Sequence, residues 1–427
     1  MKKHLPINEY SLEIAYAVLE NRVTIIEAET GAGKTTQIPQ ILFNSGLFDG
    51  IDITITQPRV MPTISVAHRV AEELGEDVGY SIGYKTQHQK TENYTPITYV
   101  TDGYCLSTYG RRTGEKIVII DEAHEFNLNI ETLLGLYKKE LDVNPDLKLV
   151  VMSATIDSQK VSHFFDGAPI ISVPGKTYPV ERLWEPSMTV VDCIMKYFSN
   201  GTNVLVFLPG KAEIADTYNE LNSLFNSTSI QFPAPQVFQL HGEMAYEEQK
   251  VVFEHYEEGK IVLATNVAQT SITVPDIDFV IDTGTCKEMI SHDGVSILTE
   301  VDISQADCSQ RAGRAGRCKP GTYVLCSSIP FEHRQYFSKP EIQRISLENL
   351  VLKLATMGLD PLDIEFVHNP DRSNLTLAKN LLKKIGALGE DGSITEIGRQ
   401  MEAMPVSARI ARMLIERLFK KAAFWVL

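Results

Sequence analysis

Val23-Thr24-Ile25-Ile26-Glu27, followed by Ala28-Glu29-Thr30-Gly31-Ala32-Gly33-Lys34-Thr35-Thr36, is a β-branched apolar run feeding a glycine-rich turn that ends in Lys-Thr-Thr. Backbone N–H groups of such a turn converge on an anion, and a helix opening at Lys34 points its positive end at the same place. The pattern predicts a grip on a nucleoside triphosphate: Gly31 and Gly33 let the backbone close, Lys34 reaches the β- and γ-phosphates, and Thr35 and Thr36 follow, with the Thr35 hydroxyl on Mg²⁺. Ala28 stands where the pattern has its first glycine. That position serves the turn rather than the phosphate contact, so a methyl group is tolerated. The bland alternative, a plain strand-to-helix connection, leaves the Lys-Thr-Thr tail unexplained.

The 427 residues fit roughly two to four domains, and 43% hydrophobic with 22% charged residues describes a globular chain with real cores rather than a disordered one. A formal net charge of −15 argues against wrapping nucleic acid over the outer surface and permits gripping it in a local channel. Residues 371–427 carry ten Lys/Arg against six Asp/Glu, leaving −19 for residues 1–370, so the tail is a separate basic element. The six cysteines form no C-x-x-C pair, which disfavours a disulfide framework and a zinc site. Asn8, Glu9 and Glu13 interrupt any leader-like apolar stretch, and no run approaches ~18 apolar residues. A soluble, intracellular (cytoplasmic) protein with no membrane partner is expected.

Short β-rich runs alternate with helical patterns twice: at 23–27, 51–56, 97–100, 116–120 and 148–152, then at 203–208, 237–240, 261–264, 279–281 and 322–326. This predicts an α/β fold of two tandem parallel sheets. Ligands bind outside the carboxyl ends of such strands. There stand the glycine-rich turn, Gln57-Pro58-Arg59, Thr101-Asp102-Gly103, Asp121-Glu122-Ala123-His124 and Ser153-Ala154-Thr155. Asp121 is placed to hold magnesium opposite Lys34, and Glu122 to orient or deprotonate an attacking water. Two acids here also fit a solvated helix start, and His124 fits either a core histidine or a coupling residue. In the second half, Gln310-Arg311-Ala312-Gly313-Arg314-Ala315-Gly316-Arg317 spaces its arginines at i, i+3 and i+6, which predicts one helical face aiming guanidinium groups at a γ-phosphate. A solvated basic face would rarely carry glycines in its interior.

Together these residues resemble a DEAH-box helicase of superfamily 2. Motif I is at 31–36, Ia at 56–59, Ib at 101–103, II at 121–124, III at 153–155, IV at 205–210, V at 264–271 and VI at 310–317. The resemblance spans about residues 5–420 and implies two RecA-like domains, at 1–172 and 173–331, that hold ATP and Mg²⁺ between them. It also implies ATP-driven movement on single-stranded nucleic acid, RNA rather than DNA, with unwinding of short duplexes. By the same likeness Gln310, Arg314 and Arg317 reach across from the second domain. Arg69 and Phe253 would sandwich the nucleobase almost base-blind, which admits other purine triphosphates. Arg59, Thr101, Thr265 and Asn266 would hold the nucleic-acid backbone, and Ser153 and Thr155 would couple the two tasks.

The chain departs from the family at Val60, Gln269 and Phe126, which stand where an arginine, a glutamate and an arginine are usual. His292-Asp293-Gly294-Val295 reads as a tight turn in the place of the family's strand-separating hairpin. Beyond 331 the pattern is helical and resembles a winged helix at 332–404. It predicts a helix from Pro340 to about Met357, a second near 377–385, a turn at 389–393, and the first helix of a ratchet-like domain from Pro405. The OB-fold and most of the ratchet that follow in the family lie outside this sequence, so either a truncated member or a partner chain completing the channel is expected. A nucleotide-switched clamp on RNA or protein, and a DNA helicase, stay open as rival functions.

Overall fold

In the computed structural model, residues 5–425 are described except 30, 49, 51, 112–115, 155–157, 176–177, 227–234, 243, 245, 271–273 and 293–294. The first half is one wholly parallel seven-stranded sheet: β1 (Val23–Ala28), β2 (Ile53–Gln57), β3 (Ile82–Lys85), β4 (Ile97–Thr101), β5 (Ile117–Ile120), β6 (Lys148–Ser153) and β7 (Ile170–Val173), in the order β3-β4-β2-β5-β6-β1-β7. The second is a six-stranded parallel sheet of β8 (Val180–Trp184), β9 (Asn203–Phe207), β10 (Gln236–Leu240), β11 (Lys260–Ala264), β12 (Phe279–Asp282) and β15 (Gly321–Leu325), ordered β10-β11-β9-β12-β15-β8. Between β12 and β15 a two-stranded ribbon, β13 (Thr285–His292) and β14 (Val295–Asp302), pairs antiparallel from Thr285↔Asp302 to His292↔Val295. The expected tight turn at Asp293-Gly294 falls outside the described residues.

Both sheets are buried on both faces, so central strands such as Ile117-Val118-Ile119-Ile120 are apolar throughout. β3, β7 and β8 went unread in the sequence. β8 is a polar edge, Val-Glu-Arg-Leu-Trp, with no strand-like alternation. The alternation of β3 is cut by Gly83, where a Cβ would lie 2.3 Å from the Thr95 hydroxyl.

The helical region after residue 331 shares a core with the first half. Leu350, Leu354, Leu382 and Ile415 belong to the same apolar cluster as Val118, Leu133 and Val151. Helix Leu128–Val143, capped where Asn127 accepts from the Ile130 N–H at 2.9 Å, is therefore buried on nearly every side. Gly135 makes this docking possible, because a Cβ there would lie 2.3 Å from the Glu365 carbonyl oxygen and 2.6 Å from Ile364.

The helix expected from Pro340 to Met357 is instead a 3-10 turn, Glu341–Gln343, and a separate helix, Glu348–Thr356. Tertiary contacts break it: Glu341 accepts from the Leu128 N–H at 2.7 Å, and the Arg344 carbonyl accepts from Ser291 at 2.8 Å. The second helix begins early, at Arg372–Lys384, because Asp371 caps it. The turn at 389–393 is closed by a Leu388↔Ile394 bridge, and the last helix, Ala408–Trp425, starts three residues later than expected.

Gly135→Ala is expected to cost about 1–3 kcal/mol, as overpacking of a close contact does, read as a lowered midpoint of thermal unfolding. An unchanged midpoint would contradict the close approach of residues 364–365 to this helix.

Candidate active site

The glycine-rich turn forms as expected. Gly31 and Gly33 adopt φ of +91° and +96°, a region open to glycine at little cost, and a Cβ at Gly31 would meet nothing within 4 Å. Helix Lys34–Asn44 opens directly after it. Lys34 is buried and donates from Nζ to the Ala28 carbonyl at 2.6 Å. Thr36 donates to the Gly33 carbonyl at 3.3 Å.

Asp121, at the end of β5, is fully buried. One carboxylate oxygen accepts from Thr35 Oγ1 and from Gln57 Nε2, each at 2.6 Å, and the other from the Glu122 N–H at 2.8 Å. Burial, reinforced by Glu122, pushes its carboxyl up to about 6 against the pull of Lys34 and Thr35. A buried carboxylate beside a threonine hydroxyl, all hard oxygen donors, fits Mg²⁺, whose charge would favour the ionised form.

Glu122 and Phe126 both have positive φ, +52° and +39°, and flank the 3-10 turn Ala123–Glu125. Left-handed backbone at residues other than glycine costs about 1–3 kcal/mol and persists only where the surroundings fix it. The turn is a partition. Glu122 lines a cavity of about 340 Å³ with Gly31, Lys34, Thr35 and Arg69, whereas His124, Glu125 and Phe126 line a cleft of about 680 Å³ with Arg59, Asn266 and Gln310.

His124 bridges three segments. Its Nδ1 accepts from the Ala154 N–H at 3.3 Å, and its Nε2 lies 3.4 Å from the Glu122 carboxylate and 3.0 Å from Gln310 Nε2 of the second half. Burial and the nearby Lys34 push the imidazole down to about 4, so it is neutral at physiological pH.

Motif VI is not one helical face. Helix Gln305–Ala312 ends before Gly313, so Arg314 and Arg317 lie in the turn beyond it. Arg311 is spent on structure: fully buried, it pairs with Asp282 at 2.6 Å and stacks over Phe207. Arg314 donates to the Gln269 carbonyl. Burial lowers Arg314 well below the usual arginine range and Arg317 to about 10, and both feel the opposing charge of Glu122 across the interface.

Gln269, one of the family departures, has a function the sequence reading missed. Its amide donates to Asp307 and Gln310 and accepts from Arg311 Nε at 2.9 Å. The only signal was its departure from the motif.

Other expected residues divide. Arg69 lines the phosphate cavity while pairing with Glu73 at 2.9 Å, but Phe253, exposed on the turn Val251–Phe253, does not line it. Arg69 and Phe253 lie on different halves and do not line the same cavity. Arg59, 3.4 Å from Glu125, and the exposed Asn266 share the larger cleft. Thr101 is buried and caps helix Asp102–Thr108, accepting from Tyr104, so its hydroxyl is not presented to that cleft. Thr265 is half-buried, its N–H donating to the Leu240 carbonyl. Ser153 is buried at the end of β6, next to the Ala154 that holds His124, and Thr155 lies outside the described residues. No helix among the described residues is long and apolar enough to cross a membrane.

Comparison with known proteins agrees with this geometry. Residues 8–164 match the DEAD/DEAH box helicase family, 189–319 the helicase conserved C-terminal domain, and 380–406 the winged-helix helicase associated domain HA2. Over 97% of its length the chain is 37% identical to the ATP-dependent RNA helicase HrpA of Escherichia coli (strain K12), covering 33% of that protein. It is 35% identical to the ATP-dependent RNA helicase HrpA of Borreliella burgdorferi, covering 52%. The chain thus spans a third to a half of the curated relatives it matches. The crystal structure of Escherichia coli DEAH/RHA helicase HrpB superposes with a TM-score of 0.86 and 30% identity, over 96% of this chain and 54% of that one.

Lys34→Ala is expected to abolish binding of a fluorescent ATP analogue, while Glu122→Gln keeps binding and loses hydrolysis. Arg314→Ala and Arg317→Ala should each slow hydrolysis by about 10²-fold or more with little change in affinity. Equal loss of binding in Lys34→Ala and Glu122→Gln, or wild-type turnover in either arginine variant, would contradict these assignments.

Proposed function

The chain belongs to the DEAD/DEAH-box helicases, enzymes that hydrolyse ATP, and from that membership we propose that it couples ATP hydrolysis to movement along single-stranded RNA and to opening of short duplexes. The observation that carries this reading is the partition turn: Glu122 faces the phosphate cavity while His124 to Phe126 face the larger cleft, and Gln310 of the second half closes on His124 at 3.0 Å. One rigid element touches both ligand spaces. A change of shape on hydrolysis therefore reaches the cleft directly.

In this reading the backbone of residues 31–36 and Lys34 bind the triphosphate, and Thr35 with Asp121 holds Mg²⁺. The ion, when bound, neutralises charge on the β- and γ-oxygens. Glu122 orients and deprotonates the attacking water, and Arg314 and Arg317 stabilise charge gathering on the transferred phosphoryl group. Arg69 borders the nucleoside end, a contact that discriminates bases poorly. Arg59 and Asn266 hold the nucleic-acid backbone, which positions a strand without reading its sequence. Ser153, through the Ala154 N–H on His124, ties that grip to the phosphate site. RNA is favoured over DNA because the relatives of known name are RNA helicases.

We divide the chain just after β7, since Val173 still pairs with Ala28 and the expected 172/173 boundary would cut that strand, and at 331/332 and 404/405, into two RecA-like domains, a winged-helix region and a final helix. The cytoplasm is the compartment that fits a chain with an RNA substrate.

The test is the steady-state ATPase rate without polymer, with poly-RNA and with poly-DNA, followed by displacement of a strand from a 3′-tailed duplex. Severalfold greater stimulation by RNA than by DNA, with short duplexes opened better than long ones, is expected. Stimulation without displacement would favour a nucleotide-switched clamp, and preference for DNA would overturn the substrate.

A further inference from the structure

The helical region reaches the partition turn through His368. His368, in the segment after the 3-10 turn Pro361–Asp363, packs its imidazole edge-on against Phe126, with ring centroids 4.6 Å apart and planes at 81°. Glu131, on the first turn of helix Leu128–Val143 and wholly buried, takes two polar groups of His368: the ring Nδ1 at 2.5 Å and the backbone N–H at 3.3 Å. His368 also lines the 680 Å³ cleft, beside Arg59 and Glu341. On one side it borders the proposed RNA space, and on the other it abuts a residue of left-handed backbone that ends the turn carrying Glu122.

Such a conformation at Phe126 holds only while its neighbours enforce it. Phenylalanine gains nothing locally from positive φ, since it has no short polar side chain to bond its own backbone. The ring contact with His368 is one enforcing neighbour, and Glu131 fixes the imidazole that makes it. Phe126 stands where the family usually has an arginine, so an aromatic latch takes the place of a charged residue here.

We propose that His368, held by Glu131, is a positioning residue through which occupancy of the cleft sets the shape of the turn that carries Glu122, and so sets RNA-stimulated ATP hydrolysis. This rests on the proposed reading of the cleft as the RNA site. A strand that shifts residue 368 alters the support under Phe126, and Glu122 moves with the turn. Neither His368 nor Glu131 lines the phosphate cavity.

The test is Glu131→Gln, which keeps volume and an acceptor for the backbone N–H but sets an amide N–H₂ against the ring Nδ1–H. ATPase is measured against poly-RNA concentration, with thermal unfolding as a control. The stimulated kcat should fall by about fivefold or more, while the rate without RNA and the half-saturating RNA concentration stay within about twofold of wild type. Phe126→Leu, which keeps apolar volume and removes the ring edge, should lower the stimulated kcat likewise, and it decides the matter if Glu131→Gln does not fold. An unchanged stimulated kcat, an equal loss with and without RNA, or a change confined to RNA affinity would each overturn the proposal. Absence of RNA stimulation in the wild-type chain would instead remove the functional reading on which it rests.

Discussion

Asp121 is a carboxylate taken wholly out of water, and each of its oxygens must therefore find donors within the protein. It finds Thr35 on the phosphate-loop helix, Gln57 at the end of β2 and the N–H of Glu122. The first two bonds draw the amino end of helix Lys34–Asn44 and the carboxyl end of β2 to the end of β5, three segments that are distant in sequence. They also fix where β5 stops and where its chain must turn. From that turn follow the direction of Glu122, the left-handed backbone on either side of residues 123–125, and the placement of His124 against the second half. Burial pushes the same carboxylate up to about 6, even with Lys34 nearby.

Much of this was legible in the residues. A β-branched run before Gly31-Ala32-Gly33-Lys34 leaves few local structures possible, and the apolar stretch Ile117-Val118-Ile119-Ile120 ending in two acids places the carboxylates at the edge of a buried strand. Both signals are local: each depends on backbone chemistry within about ten residues. The parallel pairing of two similar halves follows from the same alternation.

What escaped the reading was decided at long range. Nothing local announces that Gly135 must admit the Glu365 carbonyl, or that the apolar core of the region after residue 331 is continuous with that of the first half. The break at 344–347 has the same origin, since Leu128 and Ser291 claim Glu341 and Arg344 from far along the chain. Three-residue spacing suggested one arginine face, yet the helix ends at Ala312, and Arg311 is committed to Asp282 while its neighbours turn toward the interface. Thr101 looked available for a ligand because it follows a strand, but a threonine in that position also caps a helix, and here capping won. Phe126 and Gln269 registered only as departures from a pattern. Their contacts, a ring edge on His368 and three hydrogen bonds within the second half, show each to be a fitted part.

The account depends on the two halves acting as one catalytic unit through the contact between His124 and Gln310. The most direct measurement is a double-mutant cycle on the maximal rate of ATP hydrolysis, using His124→Ala, Gln310→Ala and the pair together. If the contact carries the coupling, the double variant is no slower than the worse single variant, within about twofold. If the two losses simply multiply, the residues act independently, and the partition turn is not the element that joins the halves.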